Sequence, residues 1–263
     1  MPMVRYNHSM IERKWRDHWG QDIDASEETV RACTVLVPSD SEALTLENAR
    51  LLFLADFLVS SFYGARSAIA AIGVTEPWMR DAVHLGLSVQ GAVWGEQYPI
   101  AVVPRDYGYR ANQLRARDIL SCGRLLNTGP MSDFLPDFGV DALRVYCLYM
   151  GPPERDYVFQ WQGLASAYRL VNRVWTSGQN CNNETDELVE QAELLELRTQ
   201  VQTRLKNRKP HTALAAIMGY IKDKSVFTTK EAETIGYLLR PFAPFVSAEL
   251  LDFVATVQNH NGR

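Results

Sequence analysis

An α/β domain with a mostly parallel sheet, followed by an all-α domain, is the fold class the sequence predicts, and three observations predict it. Short, buried, β-branched runs alternate with helical segments in the first half. The second half carries no strand signal of any strength, only apolar residues at helical spacing. Between the halves stands Gly151-Pro152-Pro153, which ends a helix because proline lacks an amide proton and pushes its predecessor out of helical geometry. The expected domains are therefore 1–150, a reduced doubly wound domain, and 151–263, a helical bundle.

The elements follow in order. An amphipathic helix over 9–19 places Ile11, Trp15 and Trp19 on one side. Ala32-Cys-Thr-Val-Leu-Val-Pro38 is an apolar run closed by proline, which suits a buried parallel strand. Residues 48–62, rich in Leu, Phe and Ala, read as the crossover helix. Pro99-Ile-Ala-Val-Val103 is a second buried strand, and 110–119 looks helical. About 35 residues separate the crossover helix from that second strand, room for a connecting helix or two. Ala142, Leu143, Val145, Tyr146, Leu148 and Tyr149 make a helix apolar almost all round, as when one is buried between neighbours. Beyond the proline break, Leu164, Ala167, Tyr168, Val171 and Val174 mark an amphipathic helix over 162–174, and 188–205 and 211–222 keep helical spacing. Thr228, with Glu231 three residues on, reads as a capped helix start.

Composition limits the function classes. With 263 residues, 46% hydrophobic and 22% charged, the chain can bury a sizeable core, which excludes global disorder. No apolar run reaches the roughly 18 to 20 residues that span a bilayer, and the first twenty residues are charged rather than signal-like; a cytoplasmic protein with no membrane partner is expected. Cys33, Cys122, Cys147 and Cys181 lack the paired spacing of a zinc site, so reduced thiols and no metal are expected. A net charge of −4 argues against a general polyanion binder. Within it, however, Arg198, Arg204, Lys206, Arg208 and Lys209 stand together with no acidic residue among them. They form either an RNA-facing strip or, in the plainer reading, a solvated helix face.

Five segments add a resemblance. Gly139-Val-Asp-Ala-Leu-Arg-Val-Tyr-Cys-Leu-Tyr-Met-Gly-Pro-Pro153 and Tyr168-Arg-Leu-Val-Asn-Arg-Val-Trp175 closely resemble the junction in leucyl-tRNA synthetases where the catalytic domain passes to the anticodon-binding domain. Tyr6-Asn-His-Ser-Met-Ile-Glu-Arg-Lys-Trp-Arg-Asp-His-Trp19 resembles the opening helix of that family. His211-Thr-Ala-Leu-Ala-Ala-Ile-Met218 and Tyr237-Leu-Leu-Arg-Pro-Phe-Ala-Pro-Phe-Val-Ser-Ala-Glu-Leu-Leu251 are similar to its later helices. The resemblance implies a reduced Rossmann-like sheet and an anticodon-binding-type bundle, in a chain too short for the family's inserted editing domain.

The same resemblance locates two signatures and finds both degenerate. Class I synthetases carry a His-x-Gly-His turn after the first strand, where glycine admits ATP and the histidines hydrogen-bond its phosphates. Here Thr45, Leu46, Glu47 and Asn48 stand at that position, and Glu47 would face the phosphates with a like charge. Among His8, His18, His84, His211 and His260, no two are three positions apart. The second signature, Lys-Met-Ser-Lys-Ser, neutralises the triphosphate. Its position holds Leu120, Ser121, Cys122, Gly123 and Arg124, with Arg124 a candidate remnant, and no lysine occurs between Lys14 and Lys206. No dinucleotide, Walker-type or zinc-protease motif is present, so no cofactor is expected. A nucleophilic Cys33 would need a base such as His84 beside it.

Arg105, Asp106, Tyr109, Arg110, Asn112, Gln113 and Arg117 follow the second strand and are expected at or near the carboxyl edge of the sheet, where ligands bind. The arginines of 105–124 can take a carboxylate or phosphate bidentately, or pair with Asp106, Asp118 and Asp133 to hold the loop. Trp78, Trp94 and Tyr98 are core or cleft wall. Together these features imply a shortened relative that no longer performs ordinary aminoacylation. It would act by binding tRNA or aminoacyl-tRNA, or a protein partner such as another synthetase or a biosynthetic enzyme. The alternative is an enzyme of specialised metabolism that reuses the cleft for amino-acid activation or amide formation.

Overall fold

β1 (Val30–Val35) lies at the centre of a five-stranded parallel sheet with β2 (Ser67–Ile72), β3 (Ser88–Gly91), β4 (Ile100–Pro104) and β5 (Asp118–Cys122), ordered β3-β2-β1-β4-β5. This is a computed structural model, and it describes residues 6–21, 30–63, 67–179, 181 and 187–261. α2 (Leu46–Tyr63) crosses from β1 to β2 and α3 (Glu76–His84) from β2 to β3. β4 sits on the other side of β1, so the strand order reverses there, which makes the β1/β4 carboxyl ends the switch point of the sheet. Residues 32–35 of β1 and all of β4 are buried along both faces, as a covered parallel sheet requires.

Two expectations for this region are corrected. The connecting stretch before β4 holds two strands, β2 and β3, as well as α3. The Ser67-Ala-Ile-Ala-Ala-Ile72 run of β2 is rich in alanine, a helix former, and carries no strand-like composition to announce it. The helix expected over 110–119 is instead the end of a 3-10 helix, Arg105–Leu114, and the start of β5. Arg115 adopts a left-handed conformation with φ 47°, which stops the helix and turns the chain back to pair with β4.

After β5 come β6 (Leu125–Leu126), α4 (Leu135–Tyr149), β7 (Tyr157–Val158), α5 (Trp161–Gln179), α6 (Glu187–Lys206), α7 (Pro210–Ile221), α8 (Thr229–Leu239) and α9 (Pro244–Asn261). The carboxyl region is helical, as predicted, apart from β7, which pairs in parallel with β6. The start of α8 is a complete capping box. Thr228 Oγ1 accepts from the Glu231 amide at 3.0 Å, and the Glu231 carboxylate accepts from the Thr228 amide at 2.9 Å. The stretch 237–251 is not one helix: α8 ends at Leu239 and α9 begins at Pro244.

Two compact units divide the chain. One gathers the sheet with β6, β7 and the segment between α4 and α5; the other gathers α1 (His8–Gln21), the Phe138–Tyr149 part of α4 and the helices from α5 onward. The sequence places the joint at 150, whereas these units are discontinuous in the chain. In the helical unit α1 is fastened by polar groups. Glu12 Oε1 accepts from the Val140 amide at 2.6 Å, while Lys14 reaches Glu249 and Asp252 at 2.7 and 2.8 Å. Asp141, 1% exposed, accepts from the Phe245 and Val246 amides at 3.2 and 2.6 Å and so caps the amino end of α9.

The Val140 amide is available to Glu12 because α4 breaks at Gly139, with φ 72° and ψ 172°. A Cβ there would meet Glu12 Oε1 at 2.6 Å and His8 at 2.8 Å. Gly139→Ala is therefore expected to destabilise the chain by about 1–3 kcal/mol from the backbone alone. Urea unfolding checks this, and an unchanged midpoint would contradict the backbone cost at Gly139.

Candidate functional site

The crevice at the carboxyl ends of β1, β4 and β5 brings Glu47 and Arg124, from the two positions where the resemblance would set the signatures, into contact. Glu47 lies in the first turn of α2, and Arg124 follows β5 directly, because Gly123 ends the strand. Their side chains form a two-pronged ion pair: Arg124 Nε to Glu47 Oε1 at 2.5 Å and the terminal nitrogen to Oε2 at 3.1 Å. The Leu125 amide adds a third bond to Glu47 Oε1 at 3.1 Å. Arg124 also reaches Asp106 at 3.1 Å, its amide donates to Asp156 at 2.8 Å, and Arg105 meets Asp156 at 2.5 Å. The Glu47 carboxylate beside Arg124 holds that guanidinium above its ordinary range, and the Arg124 amide with Arg105 holds the Asp156 carboxyl below its own.

Arg50 closes the floor. It is 2% exposed and donates to the carbonyls of Gly123 at 2.8 Å and Pro153 at 3.1 Å, with the Tyr157 ring 5.4 Å away. The hollow lined by Val37, Glu47, Arg50, Pro104, Cys122 and Arg124 has no room for a water-sized body. Side chains of the chain itself therefore occupy the switch-point crevice.

The remaining signature residues serve structure. Asn48, 1% exposed, exchanges two bonds with the Val37 backbone at 2.8 and 2.9 Å, and Thr45 accepts from the Asn48 amide at 3.3 Å to start α2. Leu46 and Leu120 are buried, and Ser121 is exposed on β5. Burial pushes the Cys122 thiol up to about 11 and the Cys33 thiol to about 12, so neither is a thiolate at neutral pH. Trp78 is core, with its indole donating to the Ser41 carbonyl at 3.1 Å.

The seven residues grouped after β4 do not stay together. Arg105 and Asp106 join the ion-pair network at the carboxyl edge. The 3-10 helix then carries Tyr109, Arg110, Asn112 and Gln113 along the return path, and Arg117 stands before β5, its amide bonded to the Tyr98 carbonyl at 3.1 Å. Of the basic residues at the end of α6, Arg198 donates to Thr234 at 2.7 Å and Arg204 to the Thr212 carbonyl at 3.1 Å, while Lys206 and Lys209 are exposed. Arg208 takes a left-handed backbone with φ 54° in the turn to α7. Sequence reasoning passed over Arg50, Asp156, Glu12 and Asp141. Asp141 alone had a signal, a carboxylate in the middle of an apolar helix.

The sheet order and the helical carboxyl region define a Rossmann-like α/β protein joined to helices. No family profile matches the chain. A leucine–tRNA ligase of Nitratidesulfovibrio vulgaris (strain DP4) is 26% identical over 244 residues, taking in 74% of this chain and 29% of that protein. One of Elusimicrobium minutum (strain Pei191) is 32% identical over 126 residues, 45% of this chain and 15% of that protein. The chain is similar to leucine–tRNA ligases at low identity, and it spans less than a third of the length of these relatives. Among solved structures, a LeuRS of Agrobacterium radiobacter K84 in a ternary complex with tRNA and LeuAMS aligns with TM-score 0.46 and 18% identity, covering 59% of this chain and 27% of that one. A Mycobacterium tuberculosis methionyl-tRNA synthetase in complex with methionyl-adenylate aligns with TM-score 0.47 and 16% identity, covering 59% and 44%. No described helix is long and apolar enough to cross a membrane.

Proposed function

We propose that this chain has given up ordinary leucine–tRNA ligation and works by binding tRNA or aminoacyl-tRNA. The Glu47–Arg124 pair carries this reading. At the positions where relatives hold ATP phosphates with histidine and lysine, a carboxylate and a guanidinium satisfy each other, and an incoming polyphosphate would have to break a two-pronged ion pair and meet a like charge. The positively charged turn between α6 and α7 supports RNA as the ligand. From Leu197 to Lys222 the chain has no acidic residue, and Lys206 and Lys209 project into solvent.

Filter binding with leucine tRNA, run beside amino-acid-dependent pyrophosphate exchange, tests both halves. Exchange is expected to be blank for every amino acid; turnover with any of them would favour the enzyme reading instead. Three phosphate contacts imply that affinity falls roughly 20- to 40-fold as salt rises from about 50 to about 200 mM. Replacing Arg204, Lys206 and Arg208 with Ala should remove most of that dependence. Binding that ignores salt and these substitutions would sink the proposal.

A further inference from the structure

The connection from β4 to β5 carries side chains that the carboxyl-edge network does not use. Tyr109 is 80% exposed, a bare phenol ring on the 3-10 helix. Next to it in sequence, Arg110 lies over the Trp94 ring at 4.1 Å, and its Nε donates to Gln113 Oε1 at 3.2 Å, so the guanidinium is held on the indole. Arg115 is exposed where the helix ends, and Arg117 lines an open hollow of about 350 Å³ with Gln97, Tyr98 and Pro99. Between Tyr107 and Arg117 there are three arginines and no acidic residue. Of the flanking carboxylates, Asp106 is engaged with Arg124 at 3.1 Å and Glu96 with the Tyr98 hydroxyl and with Arg31 at 3.8 Å, while Asp118 follows Arg117 directly and opens β5.

We propose that this connection is a binding track for unpaired nucleotides of an RNA. The phenol and the indole-backed guanidinium offer flat faces on which any base can stack, and Arg110, Arg115 and Arg117 supply charge for the phosphates between them. Interleaved aromatic rings and arginines suit a single strand, which shows both its π faces and its backbone. An acidic peptide would use the arginines but leave the phenol idle. The track lies on the return path of the sheet and not in the filled crevice. It rests on the preceding reading for the class of ligand only.

The test titrates the full chain with a fluorescent single-stranded RNA of roughly 8 to 12 nucleotides, within the site size such surfaces take. Tyr109→Ala is expected to weaken binding about tenfold, the loss of one stacked base, and Arg117→Ala to reduce the salt dependence. Arg80→Ala, which removes an exposed arginine of α3, should leave this single-strand affinity unchanged. An affinity indifferent to Tyr109→Ala and Arg117→Ala overturns the track, as does equal competition by polyglutamate. If tRNA fails to bind while the single strand binds through Tyr109, the preceding reading falls and the track stands. If tRNA binds and Tyr109→Ala changes neither ligand, the reverse holds.

Discussion

Raising the pH from about 5 to about 8 is expected to loosen the α1–α4–α9 cluster, the opposite of the acid lability that exposed carboxylate pairs confer. Burial pushes the Glu12 carboxyl up to about 7 against the pull of the Val140 amide and of Arg16. Burial likewise pushes the Asp141 carboxyl to about 7, with Glu12 adding to the rise while the Val246 and Phe245 amides and Arg144 oppose it. Tyr6, His8 and Tyr168 also border this cluster. The unfolded chain releases both protons near the ordinary values of 4.5 and 3.8, so between there and about 7 the folded state binds more protons than the unfolded one. Stability then falls with rising pH across that window and levels off above it, by on the order of 3 kcal/mol for each carboxyl. Hydrogen-exchange protection of the Val140, Phe245 and Val246 amides reads the effect locally. Glu12→Gln keeps an acceptor for the Val140 amide but cannot ionise, and should flatten part of the slope. Protection that rises from pH 5 to 8 in the unmodified chain would contradict the assignment.

Gly123→Ala is expected to be among the most damaging single substitutions in the sheet unit. The strain there is spatial. A Cβ would stand 2.3 Å from the Arg155 carbonyl carbon and oxygen and 2.7 Å from the Asp156 amide nitrogen, all backbone atoms that cannot swing aside. Making room separates Gly123 from Pro153, whose carbonyl accepts its amide at 2.9 Å, and disturbs both hydrogen bonds of Arg50. It also pulls Asp156 from the Arg124 amide at the exposed rim, while the buried Arg50 guanidinium is left short of partners. The expected cost is about 3 kcal/mol or more, against about 0.5 or less for Gly108→Ala, where a Cβ meets nothing within 4 Å. Chemical denaturation of the two variants side by side decides the matter, and equal midpoints would refute the account.

What the sequence made legible was local. The capping box at Thr228 and helices α6 and α7 follow from rules that span three or four residues and stand within a residue or two of their expected places. α5 runs a turn or so longer, β1 starts two residues early and stops at Val35, short of Pro38, and the stretch 237–251 is divided between α8 and α9. β2 and β3 escaped because one is alanine-rich and the other mostly exposed, so neither shows the alternation of a half-buried strand. The candidate site was half visible. Glu47 and Arg124 were each singled out, but their pairing joins positions 77 residues apart, and no local pattern encodes it. Arg50 gave no hint at all: an arginine in a leucine-rich helix looks like a solvent-facing residue until the carbonyls that receive it are in view. The grouping of Arg105 with Arg117 failed for a geometric reason, since a return connection separates what the sequence sets side by side.

That return connection has a consequence for how the chain can change over time. Parallel neighbours need a crossover of about a dozen residues or more, and only 105–117 link β4 to β5. A 3-10 helix advances about 2.0 Å per residue against about 1.5 Å for an α-helix, so the tighter coil makes a short strap reach further. The connection is thus compact, and it is tied down where the Gly95 amide donates to the Gln113 carbonyl at 2.9 Å and the Arg117 amide to the Tyr98 carbonyl at 3.1 Å. Loss of a residue there has to be absorbed between those two bonds without a slip of the β4–β5 register, because a slip of one residue would turn the inward side chains of β5 outward. Length variation among descendants of this chain should therefore be rare between β4 and β5.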